Sequence, residues 1–522
     1  MDMAIKIGML IIFFGIMLGI GFYCRKHSTD VDGFVLGGRS VGPWLTAFAY
    51  GTSYFSAVVF VGYAGQFGWK YGISVTWVGI GNAIIGSLMA WAILGRRTRV
   101  MTQHLNSATM PQFFESRFND RSLKLASSVL IFIFLIPYTA SLYNGLSRLF
   151  GMAFNIDYSV CVIAMAILTG IYVIAGGYMA TAINDFIQGM IMLVGIVAVI
   201  FAVLKSQGGL NEALQGLAEV SDASAPDVKG VFNSFLGPDP FSLLGVVLLT
   251  SLGTWGLPQM VQKFYAIKNE KAINKGMIIS TIFALVVAGG CYFLGGFGRL
   301  YGDKIDLAKD GFDSIIPTML SELSPFLISV VVILVLSASM STLSSLVLTS
   351  SSTLTLDFIK GTVVKDLSNK KQLLIIRVLI AVFIMISVVI AIIQYKSNVT
   401  FIAQLMGISW GALAGAFLAP FLYGLYWKRV SSAAVWVCFC FSAVVMTANM
   451  LFKSIFPVLL QSSLNAGVFC MLAGLIIVPV VSLFTKAPSA EHVDNVFSCY
   501  NTKVVVSATE AIGEPISKEE TK

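Results

Sequence analysis

The sequence predicts an all-α polytopic membrane protein with about 13 transmembrane helices, and composition and hydropathy are the observations that predict it. Of the 522 residues, 57% are hydrophobic and only 11% are charged, and the mean hydropathy is +0.85. A soluble chain carries about 25% charged residues. Because so little charge cannot cover a water-facing surface, the composition excludes a soluble enzyme, a nucleic-acid-binding protein and a disordered scaffold.

Apolar windows of about 20 residues, enough to cross a hydrocarbon core about 30 Å thick, recur along the chain. The thirteen windows are 5–23, 43–66, 73–95, 124–147, 158–176, 181–204, 241–262, 276–298, 326–350, 374–394, 399–427, 431–452 and 465–485. Residues 1–486 are therefore predicted to form one transmembrane domain. The polar segment 487–522 is predicted to be a disordered tail.

The distribution of basic residues predicts the orientation in the membrane. With the N-terminus outside, most of the 34 lysines and arginines fall in connections on the cytoplasmic side, which is the side that membrane proteins load with positive charge. Arg96 and Arg97 follow span 3, Lys263 follows span 7 and Lys428 follows span 11. We therefore predict a multi-pass protein of the cell membrane with an external N-terminus and a cytoplasmic C-terminus.

Two spans contain residues that interrupt a membrane helix. Span 2 carries Gly51 among hydroxyl residues, and span 7 carries Gly253, Gly256 and Pro258. In lipid, such an interruption must line a cavity or a protein interface. Glycine and proline are also frequent in membrane helices without that role. Spans 2 and 7 are, however, five spans apart in the chain, and two five-helix inverted repeats would place their helix breaks at such corresponding positions.

Span 9 carries Ser337, Ser341, Ser344 and Ser345 at positions i, i+4, i+7 and i+8, which share one helix face. Such a face is either a packing seam whose hydroxyls bond to their own helix or a site for a small hard cation such as Na⁺. Asp185 is the one carboxylate predicted within a span, and it is either functional or a helix-end residue that reaches the interface.

Several ordered motifs of this chain resemble the sodium:solute symporter family, over almost all of residues 8–486. They include the glycine-rich stretch at 34–43, Gly176-Gly177-Tyr178, Gly256-Leu257-Pro258 and Met340-Ser341-Thr342. The likeness is to its proline, pantothenate and sialic acid branches. The resemblance implies a LeuT-like five-plus-five inverted repeat, at about 43–204 and 241–427, with extra terminal helices.

The resemblance also implies where sodium binds. Site one would use the carbonyls of Thr52, Phe55 and Ala338 and the hydroxyls of Ser341 and Thr342. A possible second sodium site, as in sialic acid transporters, would use Asp185, Ser341, Ser344 and Ser345. The chain departs from the proline branch, which has an acid at the position of Tyr54 and an aromatic pair at those of Thr250 and Thr254.

These features together predict a secondary active transporter that couples Na⁺ to the uptake of a small polar organic solute by alternating access. Its partners would be that solute and the lipid bilayer, without nucleic acid, and Na⁺ would be the coupling ion, with no organic cofactor. Residues of polar or aromatic character at plausible depth are the candidate solute contacts: Ser53, Tyr54, Ser56, Tyr138, Trp255, Gln259 and Gln404. A proton-coupled or facilitative carrier on the same fold is the alternative. A solute sensor and a membrane-embedded enzyme are more remote, and the predicted spans carry no histidine cluster or paired carboxylates for the latter.

Overall fold

The computed structural model describes residues 2–25, 29–154, 157–221, 229–307, 311–364, 367–397 and 402–501. Most of these residues are helical, and the β-pairing among them is confined to two isolated bridges. The helices of the first half are α1 (Asp2–Cys24), α2 (Pro43–Tyr54), α3 (Val58–His104), α4 (Met110–Phe118), α5 (Arg121–Phe154), α6 (Tyr158–Ser206), α7 (Leu210–Glu219), α8 (Pro240–Leu252) and α9 (Pro258–Ala266). Those of the second half are α10 (Glu270–Gly295), α11 (Ile315–Ser321), α12 (Pro325–Thr353), α13 (Asn369–Ser397), α14 (Ile402–Tyr426), α15 (Ser432–Leu451), α16 (Ser463–Phe484) and α17 (Ala490–Ser498).

Ten helical runs of the described ranges are long and apolar enough to cross a membrane, and eleven if the bent pair α8 and α9 is one span. Two of the ten, α3 and α6, contain 47 and 49 residues, about twice the 20 or so that one crossing requires. Each is interrupted by a glycine at positive φ, Gly72 (62°) in α3 and Gly177 (55°) in α6, a conformation that glycine adopts without strain. The all-α membrane fold is confirmed, and the count of thirteen spans stays a prediction.

Polar side chains at the ends of connections determine where several helices begin. Asp239 accepts a hydrogen bond from the backbone N–H of Ser242 at the start of α8 (3.1 Å). Asn269 accepts one from the N–H of Ala272 at the start of α10 (2.9 Å). These caps satisfy donors that have no partner within the helix itself.

The bundle is built around α12, in which every residue from Val331 to Thr353 is buried. The outer helices show apolar side chains on the surface, for example Ile12 in α1 (65% exposed) and Leu374 in α13 (61%). Such side chains suit a surface in contact with lipid rather than water. The serine-rich face of span 9 therefore lies at the centre of the protein and not at its lipid boundary.

The first part of the segment predicted to be a disordered tail forms α17, which packs on one end of the bundle. Lys428 pairs with Asp494 of this helix (Nζ–Oδ1 2.7 Å), and its apolar residues Val493 and Val496 are buried. The prediction of disorder is therefore wrong for α17, because one apolar face of a short amphipathic helix is covered by the bundle. Residues 502–522 lie outside the described residues.

Candidate functional site

The first helix break lies between α2 and α3, within predicted span 2. α2 ends at Tyr54, and Phe55 has an extended backbone (φ −90°, ψ 122°), after which the helix resumes at Ala57. Gly51 is still helical, and a side chain there would collide with the ring of Phe283 in α10. The chain therefore unwinds one turn after the glycine, and the glycine itself is required by close helix packing.

The five oxygens predicted for sodium site one lie together where this break meets α12. Ser341 Oγ donates to the carbonyls of Thr52 and Ala338, at 3.1 Å each. Thr342 Oγ1 lies 3.2 Å from Thr52 O and 3.3 Å from Phe55 O, and 3.1 Å from Ala338 O. All five residues are buried. Thr52 and Thr342 are 290 positions apart in the chain, so only the tertiary fold brings these oxygens together.

The spacing of these oxygens is that of a coordination shell. Ca²⁺, a hard cation with the same preference for oxygen, has ligands at about 2.4 Å, so two ligands at right angles are about 3.4 Å apart. The observed separations of 3.1 to 3.3 Å between the Thr342 hydroxyl and three carbonyls are close to that value. The Thr342 hydroxyl is therefore spaced from each of these carbonyls as two ligands of one cation would be.

The chemistry of the cluster also suits a cation. The carbonyls at the end of α2 have no helical partners further along the chain, and the C-terminal end of a helix carries partial negative charge. A hydroxyl both donates and accepts, so Ser341 and Thr342 either donate to the carbonyls or turn lone pairs toward an ion. Neutral oxygens of these kinds are the ligands that a hard monovalent cation accepts.

The second helix break separates α8 from α9, which meet at 43°. Gly253 packs on the indole of Trp410, and Gly256 lies against the backbone of Leu418, so α14 fills the space that side chains would need. Leu257 is extended and Pro258 begins α9, as a proline in the first turn favours. The predicted interruption of span 7 is therefore present, and its glycines allow close approach of α14.

Gln259, in the first turn of α9, is a candidate solute residue whose buried side-chain amide lacks hydrogen-bond partners in the described part of the chain. Its side chain is 1% exposed, and neither amide atom has a hydrogen-bond partner among the described residues. A buried polar group left without a partner costs about 1–3 kcal/mol. A polar ligand beside Gln259 would supply the missing hydrogen bonds.

Ser56 and Tyr138 lie together near the first break. Both are buried, their hydroxyls are neighbours, and Trp410 lies beside that of Tyr138, with the two rings packed edge to face at 6.0 Å. Trp410 also covers Gly253 at the second break. Ser56 and Tyr138 are therefore linked to the second break through one aromatic side chain.

The remaining candidates have other surroundings. Trp255 Nε1 donates to Ile85 O in α3 (3.0 Å), which ties its indole to a neighbouring helix. Gln404 Oε1 accepts from Lys453 in the connection before α16 (3.3 Å), rather than joining the residues at the breaks. The backbone of Tyr54 is described as the end of α2, whereas its side chain lies outside the described residues.

The residues of the possible second sodium site are also brought together, but a lysine lies among them. Lys263 Nζ donates to Ser345 Oγ (3.0 Å) and lies 3.9 Å from Asp185 Oδ2, with both side chains almost fully buried (3% and 0% exposed). Ser344 Oγ donates to Ser341 O in its own helix (2.9 Å). The structure thus places a positive charge at the position where the resemblance implies a second ion.

The prediction that Lys263 lies in an exposed cytoplasmic connection is wrong. α9 continues the span past Lys263 to its end at Ala266, and every residue of the helix is buried. The predicted span ends at 262, immediately before this charged residue. The sequence gives no signal of this burial, because Gln259, Gln262 and Lys263 share one face of α9, as the polar residues of a surface helix do.

The sequence predicted Asp185 as the one carboxylate within a span. This prediction is wrong, because a second carboxylate is also buried within the spans. Asp357 lies in the run Pro325–Lys360 and is fully buried. It accepts hydrogen bonds from Thr109 Oγ1 (2.7 Å) and Gln112 Nε2 (2.8 Å). Asp357 therefore fastens the start of α4 to the end of this span. The sequence hides this role, because a nearby lysine makes the segment resemble a loop.

Comparison with known proteins identifies the family. The profile of the sodium:solute symporter family matches residues 34–440. The chain is 30% identical to the sodium/proline symporter of Staphylococcus aureus over 498 residues, which cover 92% of this chain and 93% of that protein. It is 29% identical to the osmoregulated proline transporter OpuE of Bacillus subtilis over 487 residues, 92% and 94% of the two chains.

The fold agrees with this assignment. The structure of a Na⁺-coupled sialic acid symporter in a substrate-bound outward-open state superposes with a TM-score of 0.74 at 17% sequence identity, over 93% of this chain and 99% of that one. The helices therefore have the LeuT-like transporter arrangement that the resemblance implied. The chain belongs to the sodium:solute symporter family, and it is a multi-pass membrane transporter, not an enzyme, that couples Na⁺ to the symport of a small solute.

Proposed function

We propose that a Na⁺ ion bound at sodium site one drives the uptake of a small polar organic solute into the cell by alternating access. The observation that carries this proposal is the contact of the Ser341 and Thr342 hydroxyls with carbonyls at the end of α2, 3.1 to 3.3 Å away. The ion would replace these hydrogen bonds with stronger ionic contacts. It would thereby hold the broken helix against α12.

Coupling follows from the position of this ion beside the break. A bound ion restricts the backbone at Phe55 and Ser56, and Ser56 is one of the candidate solute contacts. Each ligand then finds the protein ordered by the other, so each raises the affinity of the other. Different affinities for outward-open and inward-open states shift the population between those states and move the two together.

The proposed solute site lies between the two breaks, near Ser56, Tyr138 and Gln259. The unpaired amide of Gln259 supplies a donor and an acceptor for a polar solute. α9 begins next to it, and the N-terminal end of a helix carries partial positive charge that binds carboxylates. We therefore favour a solute with a carboxylate group: an amino acid, pantothenate or a sialic acid, with a neutral sugar less suited.

Proline is a natural candidate because the relatives include sodium/proline symporters. Thr250 and Thr254 stand where the proline branch has an aromatic pair. Here Thr250 Oγ1 donates to Val246 O of its own helix (2.9 Å), and Thr254 Oγ1 to Ser251 O (2.8 Å). Their hydroxyls are thus already paired, and neither residue offers the aromatic surface that the proline branch has at these positions.

We further propose the arrangement in the cell that the basic residues favour. The N-terminus would lie outside, the C-terminus in the cytoplasm, and the protein in the cell membrane. Residues 1–486 would form the transporter domain, with inverted repeats at about 43–204 and 241–427. The break after α2 and the break between α8 and α9 would then occupy corresponding places in the two repeats.

A thermal-shift screen of the purified protein tests the proposed solute class. Proline, pantothenate, sialic acid and neutral sugars are each added in NaCl or in KCl at equal ionic strength. A true solute raises the melting temperature more in Na⁺, because ligands that bind the native state cooperatively stabilise it more together; a ligand at 100 times its Kd contributes about 2.7 kcal/mol. Uptake of the identified solute into proteoliposomes at full rate without Na⁺ would instead support a proton-coupled or facilitative carrier.

A further inference from the structure

Lys263 is a buried cation whose surroundings resemble a cation-binding site. Its ammonium donates to Ser345 Oγ (3.0 Å), lies 3.9 Å from Asp185 Oδ2 and lies 5.1 Å from the ring centre of Tyr178. A carboxylate, a hydroxyl and an aromatic face are the groups that stabilise an ammonium away from water. Three separate helices, α6, α9 and α12, supply the lysine and these three partners.

The buried lysine and the buried carboxylate explain each other. Neither charge is stable alone in the protein interior, because burial of an unpaired ion is costly. The two carboxylate oxygens of Asp185 make no hydrogen bond among the described residues, so the ammonium is their source of compensation in the described structure. Removal of either partner would leave an uncompensated charge.

The ammonium occupies the position where the family resemblance implies a second Na⁺. Asp185 and Ser345 belong to that implied site, and both face Lys263. One carboxylate neutralises one positive charge, and Lys263 already supplies it. A Na⁺ ion added among the same groups would meet a like charge at close range in a medium of low dielectric constant.

We propose that the Lys263 ammonium is a built-in substitute for a second Na⁺, so that this transporter binds and couples a single Na⁺ per solute. This inference rests on the proposed function, since it concerns the ions that accompany the solute. It names Lys263 as the residue that sets the ion stoichiometry.

The lysine is also placed to perform the structural task of a second ion. Ser345 Oγ, which accepts from Lys263, lies 2.8 Å from Ser53 Oγ, and Ser53 is the neighbour of Thr52 at sodium site one. The ammonium therefore joins α9, which follows one helix break, to the end of α2, which precedes the other. An ammonium that is covalently part of the chain would keep this link in place without a second ion.

Equilibrium binding of ²²Na⁺ to the purified full-length protein, without solute, tests the proposal. We expect one ion per protein in the wild type and two in Lys263→Met, because the freed Asp185 carboxylate then binds Na⁺. The matched control is Lys271→Met, which removes an exposed lysine from the first turn of α10 and should leave one ion. Two ions in the wild type, or one ion in a folded Lys263→Met protein, would overturn the proposal.

A second variant covers the case in which Lys263→Met does not fold. The double variant Asp185→Asn, Lys263→Met contains neither buried charge, and we expect it to bind one ion. Loss of that ion would show that Asp185 or Lys263 belongs to the single sodium site, which contradicts the proposal. Two ions in the double variant would contradict it as well, because a second site would then not depend on the carboxylate.

The proposed function and this inference fail in different ways. Thr342 belongs to sodium site one alone, so Thr342→Val should weaken binding of the single wild-type ion. If Thr342→Val leaves that ion bound with wild-type affinity, sodium site one is wrong. The number of Na⁺ ions bound by Lys263→Met is measured in a separate experiment and does not depend on that result.

Discussion

Removal of one hydroxyl from sodium site one is the most direct perturbation that the structure suggests. Thr342 is fully buried, and its Oγ1 lies within 3.3 Å of three carbonyl oxygens. Thr342→Val replaces the hydroxyl with a methyl group and keeps the branched shape of the side chain. It therefore leaves no cavity, and its effect reports on the hydroxyl.

The expected magnitude follows from comparison of the two states of the site. Without an ion, the Thr342 hydroxyl has one proton to share among its carbonyls, so the variant loses about one neutral hydrogen bond, worth about 0.5–1.5 kcal/mol. With Na⁺ bound, the variant loses a contact to a charge, worth about 1.5–3 kcal/mol. The difference between corresponding ends of the two ranges, about 1–1.5 kcal/mol, raises the Na⁺ concentration for half-maximal binding about 5- to 13-fold.

The assay is the Na⁺ dependence of the melting temperature, with choline replacing Na⁺ at constant ionic strength. Thr342→Ser retains the hydroxyl and should stay within about twofold of the wild type, a difference of about 0.4 kcal/mol. Thr353→Val is the matched control on the same helix, since the Thr353 hydroxyl bonds only to Thr349 O and Ser350 O. An unchanged Na⁺ midpoint in Thr342→Val, or an equal shift in Thr353→Val, would refute the assigned site.

Three further predictions concern solute binding, helix packing and pH. Gln259→Leu should raise or preserve the melting temperature, because it removes an unpaired buried amide that costs about 1–3 kcal/mol. The same change should raise the KM for solute uptake at least fivefold. An unchanged KM would remove Gln259 from the solute site. Gly68→Ala should prevent stable folding of the helix bundle, because its Cβ would collide with the carbonyl of Gly295. Gly245→Ala, with ordinary space around it, should be tolerated. Size-exclusion chromatography in detergent compares the two variants, and equal behaviour would contradict this packing. Asp120, at the start of α5, has a lowered pKa, because hydrogen bonds from Ser122 and Ser432 outweigh the opposing effect of burial. A carboxyl whose pKa is lower in the folded state stabilises the fold at a pH above its unfolded-state pKa. That stabilisation is lost as the pH falls through the folded-state pKa. Asp120→Ala should therefore lower the melting temperature by a few degrees at pH 7 and by less at pH 3, and an equal loss at both pH values would argue against the ionised carboxylate.

The class of protein and the positions of its helix breaks follow from the sequence, because both depend on local composition. A charged fraction of 11% leaves no soluble alternative, and each apolar window must form a helix to satisfy its own backbone in lipid. The residues Gly253, Gly256 and Pro258 weaken a helix wherever it lies in space. Local chemistry of this kind requires no knowledge of the neighbouring helices.

The reason for Gly51 illustrates where local reasoning ends. The sequence suggests that this glycine unwinds span 2, whereas the helix continues through it and ends at Tyr54. The ring of Phe283 explains why no side chain is possible there. A glycine that permits close packing and a glycine that breaks a helix are identical in sequence, and only the neighbouring helix distinguishes them.

The assignments of charged residues show the same limit. In the sequence, Lys263 marks the end of a predicted span, because a charged lysine is destabilised in lipid. The buried partner that stabilises it, Asp185, lies on α6, far away in the chain. Asp357 likewise depends on Thr109 and Gln112, which no local pattern connects to it. Whether a charge lies at a boundary or in the interior depends on a partner that the fold supplies.

The sequence by itself determined that this protein is an all-α membrane transporter, since hydropathy, helix-breaking residues and family motifs are properties of the chain. The family resemblance implied the hydroxyls and carbonyls that are proposed to bind Na⁺. The tertiary structure alone decided that Thr52, Phe55, Ala338, Ser341 and Thr342 meet within hydrogen-bonding distance, and that Lys263 faces Asp185. The physical reason is that ion binding requires several oxygens within a few ångströms of one point. Residues separated by 290 positions reach such a point only when the helices that carry them are packed together.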